Sequence, residues 1–173
     1  KPWLLSLHFT AAHWPWEANN DQGRAESARI EAKGSAETLG IAHYDGGDME
    51  TYAGMVTSMD MNVGRILARL AELGMDDNTV VVFTSDNGGE RFSFNWPFTG
   101  VKTELLEGGI RVPFIVKWPG LTSPGSTNDT PALSMDFLPT FLAGAGGAPH
   151  PDYPSDGIDL RPVLAGQGMP ERT

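Results

Sequence analysis

Residues 79–89 read Thr-Val-Val-Val-Phe-Thr-Ser-Asp-Asn-Gly-Gly. The first six are β-branched or aromatic, residue types that fit a pleated and half-buried surface, and they predict a central strand. The last five turn abruptly polar and glycine-rich, so the strand gives way to a loop at residue 85. Upstream, residues 50–73 predict a long helix. Tyr52, Met55, Val56, Met59, Val63, Ile66, Leu67, Leu70 and Leu73 recur at the three- and four-residue spacing of one buried face. Asp48 is placed to cap this helix and Gly74 to end it. Asp76-Asp77-Asn78 then makes the turn into the strand. Helix, tight turn, apolar strand and polar loop is the grammar of an α/β fold.

Working outward, Trp3 to Phe9 (WLLSLHF) reads as a buried strand, and Thr10 to Pro15 as the loop after it. Residues 17–47 are polar and aperiodic, a surface excursion with a short helix near Ala25 to Lys33; loops of this length tend to be functional or mobile. Residues 90–110 read as loop, with one helical turn at Thr103 to Leu106. Pro113 to Trp118 (PFIVKW) is a further strand, closed by Pro119-Gly120. Ser134 to Ala143 predicts a helix capped by Ser134, with Pro139 as a kink or break. Lys1-Pro2 leads almost at once into an apolar run, and the chain stops at Glu171-Arg172-Thr173, so both ends are expected to be cuts through a longer protein.

The composition narrows the function classes. The 22 acidic residues against 12 basic ones give a formal net charge of -10, which disfavours general nucleic-acid binding, although local cations in a cleft can still hold a small anion. There is no cysteine, so disulfides, thiolate metal sites and a Cys nucleophile are excluded. No apolar run approaches the ~20 residues of a membrane-spanning helix, and no signal peptide is visible. The 173 residues suffice for one domain with a sizeable core.

The residues fit for chemistry lie in the loops. Asp86 and Asn87 follow a strand directly and offer a carboxylate and an amide carbonyl, hard oxygen ligands suited to Ca²⁺ or Mg²⁺. Gly88 and Gly89 let the backbone turn or approach a ligand closely. The plain alternative is an Asx turn. His13, after the first strand, is placed to bind an oxyanion or act as a general acid, or else it packs beside Trp14 and Trp16. His8 reads as structural, and His43 and His150 as exposed. Lys102, in Thr99-Gly100-Val101-Lys102-Thr103-Glu104, can put an ammonium on an anionic substrate, or is an ordinary surface lysine. Arg111 can do likewise or pair with Glu107. Gly100-Val101-Lys102-Thr103 looks like the end of a P-loop but lacks the preceding glycine spacing. The G-x-S-x-G elbow of Ser-His-Asp hydrolases is absent.

Together these pieces resemble the type I sulfatases of the alkaline phosphatase superfamily. The resemblance rests on Phe9 to Pro15 (FTAAHWP), on Tyr52 to Gly64 leading into Asp77-Asn78-Thr79, and on Val81 to Gly89. It rests further on Gly100-Val101-Lys102 with Glu107 to Pro113 (EGGIRVP) and Trp118-Pro119-Gly120. Ser134 to Thr140 (SMDFLPT), with Asp156-Gly157 and Leu160, adds a weaker block. The implied fold is a partial alkaline-phosphatase-like mixed sheet flanked by helices, with residues 1–173 forming the C-terminal portion of the catalytic domain. The implied reaction is hydrolysis of a sulfate monoester by formylglycine, made from a Cys or Ser and hydrated to a gem-diol, beside a divalent cation, usually Ca²⁺. Asp86 and Asn87 match the family's second pair of metal ligands. Lys102 matches its sulfate-binding lysine, and His13 the histidine that contacts sulfate and helps protonate the leaving group. An ammonium, an imidazolium and a metal cation all suit the negative charge that builds on the sulfuryl and departing oxygens.

This sequence departs from the pattern where the nucleophile should be. It has no Cys and no Ser-x-Pro-Ser-Arg. The first Asp pair of the metal site, much of the sheet and the small C-terminal subdomain are also without counterparts. The chain alone is therefore expected not to turn over sulfate esters and to bind metal weakly. Two other readings stand beside this one: a phosphonate monoester or phosphodiester hydrolase of the same superfamily, and a non-catalytic sulfatase-like binding protein. Aryl sulfates, sulfated polysaccharides and choline sulfate all remain open as substrates. Specificity is expected in the variable loops, residues 17–47 and 90–99, where Phe92, Phe94 and Trp96 can line a sugar or aryl pocket or simply pack under the loop. By family analogy the compartment is periplasmic, lysosomal or secreted.

Overall fold

The long helix forms as its periodicity requires: α1 spans Met49–Glu72 in a computed structural model that describes residues 2–13, 16 and 48–172. Asp48 caps it, its Oδ1 accepting the Thr51 amide at 2.7 Å. That hydrogen bond holds the Asp48 carboxyl below the usual carboxylate range. At the other end Gly74 takes φ +64°, and the amides of Gly74 and Met75 donate to the carbonyls of Ala71 and Leu70. This is the paired closure that a left-handed residue makes possible at a helix C-terminus.

Contacts divide the chain into two units, one of Lys1–Asp76 with Ser85–Val112, the other of Asp77–Thr84 with Pro113–Thr173. In the first unit α1 buries Thr51 and Met55 and half-buries Tyr52, Val56, Met59, Val63, Ile66 and Leu70. Leu67 and Leu73, expected on the same face, are exposed. Toward its C-terminus the helix looks onto residues 3–9 across a groove lined by Trp3, Leu5, Leu7, Phe9, Ile66 and Leu70. The expected strand at Trp3 to Phe9 is not formed, and Leu4 stays 83% exposed. Apolar, β-prone residues make a strand only with a ladder partner, and among the described residues none pairs with this segment. The expected helical turn at Thr103 to Leu106 falls four residues later, as the short α2, Glu107–Ile110. The expected helix near Ala25 to Lys33 and His43 lie outside the described residues.

In the second unit β1 (Val81–Thr84) pairs antiparallel with β2 (Phe114–Lys117), Val81 opposite Lys117 and Thr84 opposite Phe114. Along β2, half-buried Phe114 and Val116 alternate with exposed Ile115 and Lys117, the period of a sheet covered on one face. Phe114 stacks on Phe137, and Phe137 on Phe141, at 5.6 and 5.8 Å between ring centroids. These two phenylalanines belong to α3, Phe137–Gly144, which follows a 3₁₀ turn at Ser134–Asp136. Pro139 falls in the first turn of α3, where its missing N–H has no helical partner to lose, so it neither kinks nor breaks the helix. The expected cap at Ser134 is replaced by Asp136, whose Oδ2 accepts the Leu133 amide at 2.7 Å.

Leu160 and Val163, the latter in α4 (Arg161–Leu164), complete the buried set with Pro139, Thr140 and Asp136. Thr140 Oγ1 accepts the Leu160 amide at 2.9 Å. Arg161 grips Asp159 with Nε and Nη2 and donates Nη1 to the Ala143 carbonyl at 3.0 Å. No helix among the described residues is long and apolar enough to cross a membrane.

Candidate functional site

Three loops of the first unit are laced together through their backbones. The Gly88 amide donates to the Gly109 carbonyl at 2.8 Å, the Lys102 amide to the Gly89 carbonyl at 3.1 Å, and the Gly108 amide to the Thr99 carbonyl at 2.8 Å. The glycines make this possible by letting backbone touch backbone. A Cβ on Gly88 would overlap the Gly108 carbonyl oxygen, and one on Gly108 would overlap the Gly100 carbonyl oxygen. The segment carrying Asp86 and Asn87 is thereby fixed against the segment carrying Lys102.

Asp86 and Asn87 sit on a locally bonded turn. Ser85 Oγ donates to the Asn87 carbonyl at 3.0 Å, and Asp86 Oδ1 accepts the Asn87 amide at 3.0 Å. Asp86 is exposed and Asn87 half-buried, so both remain open to a ligand. Lys102 is half-buried. Thr103 directly after it holds φ +77°, a left-handed conformation that strains a β-branched residue. Strain of this kind persists where surrounding structure over-determines it, and functional sites are a common place for it. Here Glu104 helps, its Oε2 accepting the Val101 amide at 3.0 Å. Arg111 does pair with Glu107, at 2.9 Å on the surface, and its guanidinium lies 4.7 Å over the Phe98 ring. It is thus engaged locally, in a pair of the exposed type that contributes little to stability.

His13 belongs to the same unit and is exposed, its amide closing a turn onto the Thr10 carbonyl at 2.8 Å. The structure thus joins the segment carrying Asp86 and Asn87 to the segment carrying Lys102 through a shared backbone lattice, and sets His13 on the turn that its amide closes. His8 is exposed rather than packed in a strand, and its Nε2 meets Ser6 Oγ at 2.9 Å. His150 is exposed beside Tyr153, in the second unit.

Sequence reading missed Asn95. Its Nδ2 donates to both the Gly89 carbonyl, at 2.9 Å, and the Gly100 carbonyl, at 3.2 Å. Gly89 therefore receives Asn95 and Lys102 together. The available signal was a single amide side chain between Phe94 and Trp96 in a run with no other reason for one. Of the three aromatics expected to line a pocket or pack under the loop, Phe92 does the second. It packs inward, edge-on to Trp16 at 5.0 Å and under the Arg91 guanidinium at 4.9 Å.

The donor set fits a hard divalent cation in kind but not in number. Asp86 and Asn87 offer oxygen donors of the right type. Among the described residues no three His, Asp or Glu side chains converge as a metal cage, whereas Ca²⁺ takes about six to eight oxygens.

The sulfatase family model matches residues 1–147. The rat steryl-sulfatase is 42% identical over 125 residues, 66% of this chain and 22% of that protein. Human arylsulfatase A is 40% identical over 119 residues, 66% of this chain and 23% of its own length. Among solved structures, Ps i-CgsB superposes with a TM-score of 0.72 at 31% identity, covering 90% of this chain and 32% of that one. It has also been solved in complex with k-i-k-neocarrahexaose. The phosphonate monoester hydrolase from Silicibacter pomeroyi superposes with a TM-score of 0.56 at 28% identity, covering 91% of this chain and 33% of that one. The chain thus spans between a fifth and a third of the length of each of these proteins, and the likeness is to alkaline-phosphatase-like folds.

Proposed function

Since the chain belongs to the sulfatase family, we propose that it supplies the Asp86–Asn87 and Lys102 side of a sulfate-monoester hydrolase site, and that by itself it does not turn over. The observation that carries this reading is the Lys102–Gly89 hydrogen bond, which joins the two segments that the reaction needs close together. Lys102 brings an ammonium to the anionic oxygens of the sulfate. Asp86 and Asn87 would contribute two oxygens to a Ca²⁺ ion, which when bound adds positive charge beside the sulfate. His13 gives its proton to the departing oxygen of the ester. This chain offers no nucleophile of its own, having neither Cys nor Ser-x-Pro-Ser-Arg; the formylglycine expected by resemblance would come from elsewhere in a complete protein. The substrate is an anionic sulfate ester, aryl or carbohydrate.

The test is an assay of two proteins on 4-nitrophenyl sulfate with and without Ca²⁺: this chain, and the full reading frame that contains it. The expected result is Ca²⁺-dependent turnover by the second and none by the first. Turnover by the isolated chain at ordinary enzymatic efficiency would overturn the claim that it is incomplete. The likeness to a phosphonate monoester hydrolase favours a second reading. A full protein that prefers a phosphonate monoester or phosphate diester to the sulfate would establish that one instead.

A further inference from the structure

The loop at residues 90–98 divides its side chains sharply. Four of them anchor it. Phe92 packs on Trp16 and lies 6.3 Å from Tyr52, Ser93 Oγ meets the Tyr52 hydroxyl at 3.1 Å, Asn95 reaches two backbone carbonyls, and Phe98 sits under Arg111. Two backbone turns, Ser93 to Glu90 and Phe98 to Asn95, tie it further. Between the anchors Phe94 and Trp96 point outward, 84% and 76% exposed, with their rings stacked at 6.4 Å and 30°. Large aromatics are usually withdrawn from water, so a stacked and exposed pair on a pinned loop is a surface prepared for a partner.

Its place suggests which partner. Asn95, between the two exposed rings, donates to the same Gly89 carbonyl that receives the Lys102 amide. The platform and the proposed sulfate-binding lysine are therefore fixed to one point of the backbone. The shape of the platform decides the chemistry. An aryl or other wholly apolar group gains affinity by enclosure, with most of its surface removed from water. A pyranose ring has one face of C–H groups and a rim of hydroxyls that must stay hydrated. It gains from an open aromatic surface and would lose from a closed one, because buried hydroxyls without partners are costly.

We propose that Phe94 and Trp96 form a ring-stacking platform that selects sulfated carbohydrates, holding the apolar face of a pyranose while its sulfate lies at Lys102, Asp86 and Asn87. This rests on the sulfate-site reading above and adds the substrate class. Both residues are specificity determinants and touch no reacting atom.

The test follows backbone amides and the Trp96 indole N–H of the full protein that contains this chain by NMR, kept free of Ca²⁺ so that the probes are not turned over, with Trp96→Phe to assign the indole. The probes are inorganic sulfate, 4-nitrophenyl sulfate, and a panel of mono- and disaccharides built on galactose, glucosamine and fucose, each sulfated and unsulfated. At least one sulfated sugar should move the Trp96 indole together with the Asn87 and Lys102 amides, at one common midpoint. Phe94→Ala and Trp96→Ala should each weaken it about tenfold while leaving inorganic sulfate unaffected. If sulfated sugars move Lys102 but never Trp96, or the two alanine variants bind them unchanged, the platform is overturned and the sulfate site stands. If 4-nitrophenyl sulfate engages Trp96 as tightly as any sugar, the assignment to carbohydrate is overturned. If neither inorganic sulfate nor any sulfated probe moves Lys102, the underlying site reading fails. Because both side chains are exposed, their truncation leaves the fold intact and the comparison readable.

Discussion

Two aspartates, one in each unit, show how differently the same side chain is used. Asp136 in the second unit is fully buried, at 0% exposure, and every lone pair that matters is taken. Oδ1 accepts the Ile158 amide at 2.9 Å and Arg172 Nη1 at 2.8 Å; Oδ2 accepts the Leu133 amide at 2.7 Å and Arg172 Nη2 at 2.6 Å. It ties the residue before its own turn, a strandless segment 22 residues on, and the chain near residue 172 into one node. Asp86 in the first unit is exposed, and the hydrogen bond seen at its carboxylate comes from the next residue's amide. A carboxylate fully satisfied inside the protein has nothing left for a ligand. One held on a turn with its oxygens facing water has given up that stabilisation and leaves them available for the proposed ligand.

The comparison breaks first at Asp136. Its removal leaves two amides without their acceptor and Arg172 with only the Pro131 carbonyl, and losing one member of a buried pair costs about 3–5 kcal/mol. Asp136→Ala should lower the urea midpoint of unfolding accordingly, and a loss below about 1 kcal/mol would mean the node is dispensable. Burial pushes the Asp136 carboxyl up, but the Arg172 guanidinium and the amides of Ile158 and Leu133 outweigh it, and the net direction is down. With a depressed native value, the unfolded chain takes up the proton first as pH falls. This contribution is therefore complete above the ordinary carboxylate range and drains away below about pH 4. The variant should show a flatter acid limb than the parent in the same urea titrations.

Gly88 comes next. A methyl group there meets backbone rather than a yielding side chain, and overpacking of this kind costs about 1–3 kcal/mol. Gly88→Ala should destabilise the chain by that amount and also uncouple the loops, seen as a displaced Lys102 amide resonance. An unchanged Lys102 signal would show that the loop lattice does not depend on close backbone approach. The smallest effect belongs to Asp86. Asp86→Ala should leave stability within about 0.5 kcal/mol, yet abolish any Ca²⁺-induced shift of the Asn87 amide. A large loss of stability would place Asp86 among the structural carboxylates and end the contrast.

Much of this is legible in the sequence. The face of α1, its cap at Asp48 and its stop at Gly74 follow from local rules, because a helix closes its hydrogen bonds within one segment. The two strands at 81–84 and 114–117 were readable from β-branched runs bounded by turn residues. Trp3 to Phe9 shows where that reasoning ends, since a strand is completed by a neighbour that local sequence does not name. Ser134 does not cap its helix as expected, for a related reason. The turn opens one residue earlier than expected, after Leu133, so Ser134 falls inside it and Asp136 reaches back to the Leu133 amide.

For the site, the residue types at 86, 87 and 102 spoke for themselves, since a carboxylate, an amide and an ammonium after a strand or among glycines are few and recognisable. Their joining did not, because Gly89 to Lys102, Gly88 to Gly109 and Asn95 to Gly89 and Gly100 are contacts between segments. By itself the sequence determined the helix, the two strand segments, the acidic balance and the chemical types available, but not the antiparallel pairing of those strands. Only the tertiary structure decided which aspartate is buried, which aromatics face outward, and that Asn95 and Lys102 share one carbonyl. Periodicity and capping are written into neighbours along the chain, whereas burial and the meeting of loops depend on distances that close only when the chain folds.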